Sequence, residues 1–317
     1  MSAAGHVPVL ATEVIDALQV RPDGWYLDGT VGRGGHGLAI AALLGRRGFL
    51  LGLDRDPAAA EAAAARLARL GERVRVVRSS YIAMRDQAAQ TGRGDASWDG
   101  VLLDLGIGSH QLDDPDRGFS IRHDGALDMR YHRGGGATAA DLVNDLEESE
   151  LADLLFQLGE ERASRRIARA VVRRRGQARF ERTGDLAAVV ASAVGGRKRR
   201  IHPATKTFQA LRIAVNDELG QLERALPDSA RLLAAGGRLA VISFHSLEDR
   251  TVKRFMRNMA NPCLCPPDLG ICTCGRKPML ELERKRAVMP SAEEVERNPR
   301  SRSARLRVAV RTDESWA

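Results

Sequence analysis

The chain has 317 residues, 44% of them apolar and 28% charged. That is enough apolar material for a sizeable core, so global disorder is excluded, and two domains or one large α/β domain with an insertion are expected. Its 49 basic residues against 41 acidic ones give a net charge of +8, which favours an anionic partner such as nucleic acid. Only five of the basic residues are lysines; arginine forks suit phosphate, and GC-rich coding gives the same bias. No uncharged apolar run approaches the ~20 residues that cross a bilayer, the best one, Ala187 to Val194, ending at Gly195-Gly196-Arg197. The N-terminus lacks the basic-then-apolar pattern of a secretory signal. A cytoplasmic location is expected.

In chain order, Trp25-Tyr26-Leu27 reads as a strand and Gly37 to Leu44 as an Ala/Leu helix. Gly48 to Leu53 is a second strand, and Pro57 to Leu70 an Ala-rich helix with proline in its first turn. Val74 to Val77 and Trp98 to Leu103 follow as strands. This alternation predicts a parallel sheet covered on both faces. From about residue 110 to 215 no convincing strand occurs, and Glu147 to Leu158 and Glu161 to Arg175 read as helices. Strand character returns in Arg238 to Ile242, then a helix from Leu247 to Met259 and an alternating run from Leu306 to Val310. One sheet domain interrupted by a helical insertion is expected.

The first strand ends at Asp28 and runs into Gly29-Thr-Val-Gly-Arg-Gly-Gly-His-Gly37, where the next helix starts. Ligands bind at the carboxyl ends of strands in open α/β sheets, and glycines let backbone approach them. Gly32, Gly34 and Gly37 also satisfy the dinucleotide pattern G-x-G-x-x-G, so a nicotinamide-dependent Rossmann enzyme is an alternative. Three features favour S-adenosylmethionine. Asp28 ends the first strand, where it suits a cationic amino group; Asp54 ends the second, suited to ribose hydroxyls; Asp104 ends the fourth, where it can face adenine or the reacting methyl. The late strand would add the antiparallel edge common in methyltransferase sheets.

Seven motifs carry a resemblance: Asp28-Gly-Thr-Val-Gly-Arg-Gly-Gly-His36, Leu103-Asp-Leu-Gly-Ile-Gly-Ser-His-Gln-Leu-Asp113, Arg117-Gly-Phe-Ser120, Leu127-Asp-Met-Arg130, His202-Pro-Ala-Thr-Lys-Thr-Phe-Gln-Ala-Leu-Arg212, Ser243-Phe-His-Ser-Leu-Glu-Asp-Arg250 and Asn298-Pro-Arg-Ser-Arg302. In this order, from about His6 to Arg311, the chain resembles the bacterial 16S ribosomal RNA cytosine-N4 methyltransferases, the RsmH or MraW family. The resemblance implies an α/β fold with a class I S-adenosylmethionine-dependent methyltransferase (Rossmann-like) sheet over residues 1–109 and 215–317, and an inserted helical substrate or RNA-binding domain over 110–214. It implies methylation of the exocyclic N4 of a cytosine in the decoding centre of 16S rRNA, the small ribosomal subunit as partner, and a homodimer. Its cofactor contacts fall on Gly34, Gly35, His36, Asp54, Tyr81, Asp104 and Gln111. Two departures stand out: Tyr81 replaces the family's usual Phe, and Gly108-Ser109-His110 replaces Ser-Ser-Pro.

Cytosine N4 is a poor nucleophile because its lone pair is delocalised, so the enzyme must accept a hydrogen bond from N4–H and align the reacting atoms. Asp104 is the catalytic candidate, with a purely cofactor-holding role as the alternative, since no Pro-Pro-aromatic sequence follows it. In Ser243 to Arg250, His245 is a candidate base or phosphate contact, while Ser246 with Asp249 fits a helix cap and charged first turn.

For RNA, Arg165 to Arg175 keeps Ile167, Ala170 and Val171 at helical spacing, which leaves the arginines outside, and Arg197, Lys198, Arg199 and Arg200 form a glycine-led basic loop. A solvated helix face is the alternative reading. Thr205, Lys206, Gln209 and Arg212 are further substrate candidates. A non-catalytic RNA-binding ribosome-assembly protein would use the same basic surface. All four cysteines, Cys263, Cys265, Cys272 and Cys274, lie in the Pro-rich loop 262–275 as two C-x-C pairs. They suit either a tetrahedral zinc site or a metal-free loop.

Overall fold

The computed structural model describes residues 8–195, 202–266, 271 and 273–314. They form two compact units, one from residues up to Gly106 together with those from Gln221 onward, the other Ile107–Gly220. No helix among the described residues is long and apolar enough to cross a membrane.

The first unit is built on seven strands: β1 (Trp25–Asp28), β2 (Phe49–Asp54), β3 (Val74–Arg78), β4 (Trp98–Asp104), β5 (Leu233–Ser243), β6 (Leu280–Glu281) and β7 (Arg305–Arg311). Their spatial order is β3-β2-β1-β4-β5-β7-β6. The first five pair in parallel, and β7 runs antiparallel between β5 and β6. This is the class I methyltransferase sheet. Strand order reverses between β1 and β4, which opens a crevice at their carboxyl ends.

The apolar runs explain the central strands. In β2, Leu50, Leu51 and Leu53 are all fully buried, as expected of a parallel strand covered on both faces. At the amino ends Trp25, Phe49 and Trp98 pack ring on ring, with centroids 4.6 Å apart for the first pair and 5.7 Å for Trp25 and Trp98. One end of the sheet is thus sealed by aromatics, while β1, β2 and β4 each finish in an aspartate at the other.

Strand β5 begins at Leu233, earlier than the expected Arg238, because its pairing with β4 slips between Trp98 and Gly100. Gly236, with φ +77°, makes the bend, a conformation that penalises side chains. The helix after β1 starts at Gly35 rather than Gly37, since left-handed Gly34 (φ +79°) ends the loop first. Helix Ala11–Leu18 and the short β6 have no counterpart in the expected elements.

The second unit is helical: Ser109–Asp113, Ala139–Asp145, Glu148–Gly159, Ser164–Arg175, Thr183–Val194 and Thr205–Asn216. Its core gathers Leu151, Leu155, Ile167, Val171, Leu186, Val190, Phe208 and Leu211. Among its described residues there is no ladder, only one isolated bridge, Ala126 to Arg182. The helix expected from Glu161 begins at Ser164 instead, because Glu161 folds into a turn: its Oε1 accepts from Ala163 N at 2.8 Å and its carbonyl from Ser164 N at 3.1 Å.

Candidate active site

The loop after β1 is stitched to the neighbouring strand ends by its own backbone. Gly29 N donates to Leu102 O at 2.9 Å, Val31 N to Leu53 O at 2.8 Å, and Gly32 N to Asp54 Oδ2 at 2.9 Å. A Cβ at Gly29 would lie 2.6 Å from Leu103 Cδ2 and 3.1 Å from Tyr81 Cβ, so a side chain there would displace Leu103 and crowd Tyr81. Tyr81 opens a short helical turn after β3 and packs against the sheet core. Gly34, Gly35, His36, Asp54, Tyr81 and Asp104 thereby lie around the carboxyl ends of β1 to β4. Gln111 belongs to the helical unit, where it is buried and its Oε1 accepts from Gly108 N at 3.0 Å.

The strand-end aspartates differ in their partners. Asp28 is 1% exposed; its Oδ1 accepts from Thr30 N at 3.1 Å. Burial, reinforced by the charge of Asp54, pushes its pKa up to about 7. Asp54 accepts from Asp56 N at 2.8 Å as well as from Gly32 N, and burial still raises it. Each of its oxygens keeps a second lone pair for a ligand hydroxyl.

Asp104 is held by its backbone, whose N–H donates to Thr30 Oγ1 at 2.6 Å. Its Oδ2 lies 3.5 Å from His36 Nδ1, while Oδ1 is enclosed with no hydrogen-bond partner among the described residues. Loss of solvent, then the charges of Asp28 and Glu248, hold this carboxyl well above the usual carboxylate range. His36 is buried, and its Nε2 faces Val9 O at 2.9 Å. A carbonyl only accepts, so Nε2 carries a hydrogen, and Nδ1 is the ring nitrogen that faces Asp104. A carboxyl raised in this way can carry a proton on Oδ2, beside Nδ1, and Oδ1 is then the acceptor that has no partner among the described residues.

Two residues of this site escaped the sequence reading. Thr30 joins Asp28 to the backbone of Asp104, and Asp56, 1% exposed, caps the helix Pro57–Leu67 by accepting from Ala58 N at 3.0 Å. The signals were present, Thr30 inside the Asp28-Gly-Thr motif and Asp56 immediately before a helix-starting proline.

The crevice fits S-adenosylmethionine by donor chemistry: an acidic group for the ammonium at β1, a carboxylate for ribose hydroxyls at β2, an aromatic ring after β3, and an unsatisfied buried acceptor at β4.

At the end of β5, the helix Ser246–Ala260 is capped by His245, not by Ser246. His245 Nδ1 accepts from Glu248 N at 3.4 Å, and Glu248 Oε2 accepts in return from His245 N at 3.3 Å and also from Phe244 N at 2.8 Å. The imidazole does the capping because Glu248 lies three residues on, where it closes the reciprocal bond. Asp249 is not a free first-turn charge either. It takes Arg305 Nη1 at 2.9 Å and Arg307 Nε at 2.7 Å, guanidinium contacts that hold its carboxyl below the usual range.

In the helical unit the arginine-rich helix divides along its length. Ser164, Ile167, Ala168 and Val171 face inward, so Ala168 replaces the expected Ala170 on the buried stripe. The C-terminal arginines serve the protein: Arg175 Nη1 donates to Val143 O and Leu146 O at 3.0 and 2.6 Å, and Arg174 lies over the Phe180 ring. The N-terminal ones, Arg165 and Arg166, line an open cleft of about 600 Å³ with Glu161, Arg162, Ala163 and Lys206, although Arg166 Nη2 also donates to Val194 O at 3.0 Å. Arg162 and Arg165 are exposed, and Glu161 is buried with Oε1 engaged by Ala163 N.

Lys206 Nζ donates to Glu160 O at 2.8 Å, closing the end of the helix Glu148–Gly159. Arg212 makes a two-pronged pair with Glu218, at 2.9 and 2.8 Å. Thr205 and Gln209 are half-buried on the same helix as both. Arg197, Lys198, Arg199 and Arg200 lie outside the described residues, as does Cys272. Cys263, Cys265 and Cys274 come together, with their Sγ atoms within 4.8 Å of one another.

The chain matches the model of the MraW methylase family over residues 3–312. It is 50% identical over 306 residues to the ribosomal RNA small subunit methyltransferase H of Heliobacterium modesticaldum, covering 96% of this chain and 97% of that one. It is 51% identical over 308 residues to the protein of the same name from Symbiobacterium thermophilum, with 96% of each covered. The Geobacter sulfurreducens counterpart is 50% identical over 306 residues, 96% of this chain and 98% of its own. A methylase family decides between the two cofactors that the glycine loop admits: the cofactor is S-adenosylmethionine, and the chain belongs to the MraW methylase family.

Proposed function

We propose that the chain methylates the exocyclic N4 of a cytosine in the decoding centre of 16S rRNA, acting in the cytoplasm on the small ribosomal subunit. The observation that carries this reading is the enclosed Asp104 Oδ1, without a hydrogen-bond partner among the described residues, at the switch point of a methyltransferase sheet. The names of the half-identical relatives support the RNA class of the substrate.

S-adenosylmethionine, once bound, supplies an electrophilic methyl group on a sulfonium. The protein's task is to orient the amine and to take its proton. Asp104 Oδ1 accepts a hydrogen bond from N4–H, which localises the nitrogen lone pair toward the methyl carbon. As the N–C bond forms, N4 becomes acidic. Its proton passes to Oδ1 while Oδ2 hands its own to His36 Nδ1, so that the carboxyl ends neutral and the imidazole carries the charge. Val9 O, on the far side of the ring, stabilises that imidazolium through Nε2.

Asp28 and Asp54 would hold the cofactor's ammonium and ribose, and Tyr81 would pack on its adenine, with Gly34 and Gly35 allowing close approach. Arg162, Arg165 and Arg166 give the helical unit a phosphate-binding cleft, and the basic run at Arg197, Arg199 and Arg200 extends the RNA contacts. Thr205, Gln209 and His245 are substrate contacts of the same reading. Lys206 and Arg212 act through the helix they brace.

The test is transfer of labelled methyl from S-adenosylmethionine to small subunits, with naked 16S rRNA alongside. Label in the rRNA supports the reading. None at saturating cofactor, with RNA binding intact, leaves a non-catalytic assembly protein.

A further inference from the structure

The loop between helix Ser246–Ala260 and β6 takes no part in the chemistry above, yet it holds all the chain's cysteines. Its base is closed by Met279 N donating to Met259 O at 2.9 Å. Among the described residues inside that closure, the large apolar side chains Leu264 and Ile271 are 69% and 80% exposed and form no buried cluster. Cys263 Sγ and Cys274 Sγ nonetheless stand 3.8 Å apart, with Cys265 Sγ in the same group.

That spacing has a specific chemical meaning. Zinc–sulfur bonds of about 2.3 Å in a tetrahedron put sulfur atoms about 3.8 Å apart, whereas a disulfide brings them to about 2.05 Å. A thiol hydrogen bond is too weak to gather one exposed and two half-buried side chains against their rotamer entropy. We propose that Cys263, Cys265 and Cys274 bind a soft divalent cation, zinc, as three thiolates, and that this ion orders the loop in place of a hydrophobic core. Binding releases three protons, one from each thiol, and leaves a fourth coordination position for another ligand. Thr273 Oγ1, 3.8 Å from Cys265 Sγ, stands beside the set as an outer partner.

The test is the metal content of the full chain purified without an affinity metal or chelator. About one zinc per chain is expected, falling at least fivefold in Cys263→Ser and in Cys274→Ser with unchanged far-ultraviolet circular dichroism. Cobalt exchanged into the wild type should give intense thiolate charge-transfer bands, lost in both variants. Cobalt taken up without those bands, zinc below about a tenth per chain with all thiols reactive, or a Cys263–Cys274 disulfide in the unreduced protein overturns the proposal.

Discussion

The sheet unit and the helical unit use charge in opposite ways. At the strand ends, Asp28 and Asp54 accept from backbone N–H groups, Asp104 is held through its own N–H on Thr30, and burial raises all three carboxyls above their ordinary range. On the arginine helix the outward side chains are exposed, and no shift is needed for a guanidinium to meet phosphate. In the proposed function the chemistry falls to desolvated, anchored groups and the RNA contacts to solvated ones. Substitutions in the first region should change rates and pH profiles, and those in the second should change salt dependence.

The largest effect is expected at Asp104. Asp104→Asn keeps an acceptor oxygen and a donor toward His36 but cannot take up a proton, so turnover should fall by about 10²–10⁴ while cofactor affinity in calorimetry changes less than about tenfold. Equal losses in both would make Asp104 a cofactor-holding residue only.

Asp249 probes whether charge in the sheet unit also does structural work. Asp249→Ala strands Arg307 and should cost about 2–3 kcal/mol in denaturant unfolding, with the methyl-transfer rate per folded molecule kept. A loss of rate at full stability would move the residue into the site.

Asp28 sets a pH signature. Its pKa is about 7 folded against 3.8 in the free side chain, so between these values the folded protein binds more protons. Its contribution to stability therefore falls as pH rises from about 4 to 7, by about 4 kcal/mol overall. Cofactor binding runs the other way: an ammonium partner needs the ionised carboxylate, and affinity should climb toward pH 7 by up to about tenfold per unit, then level. Asp54 and Asp104 face the same crevice and are raised too, so Asp28→Asn should flatten its own share of both profiles. An unaltered profile in that variant would remove Asp28 from ligand binding.

The smallest effect tests the helical unit. Arg162→Ala and Arg165→Ala should each weaken RNA binding several-fold and lower the salt slope by about one, while Arg175→Ala, whose guanidinium holds two backbone carbonyls, leaves the slope unchanged and lowers stability. A slope insensitive to Arg162 and Arg165 would make the cleft a solvated face.

The parallel strands were readable because buried strands are apolar runs ending in a polar residue, and the glycine loop because position and composition agreed. The caps were less readable. Ser246 and His245 are neighbours, and only the reach of Glu248 chooses between them. The arginine helix shows the same limit. Its buried stripe follows from period 3.6, but which arginines are spent on carbonyls of other segments depends on non-local packing. The short β6 has no pattern of its own and exists because β7 offers it an edge.

The most direct measurement is nucleoside analysis of small subunits methylated by the wild type and by Asp104→Asn, with the modified base located in the rRNA. N4-methylcytidine is expected at one decoding-centre cytosine, lost at least a hundredfold in the variant. Methyl on another base, on another atom of cytosine, or at an equal rate in the variant would contradict it.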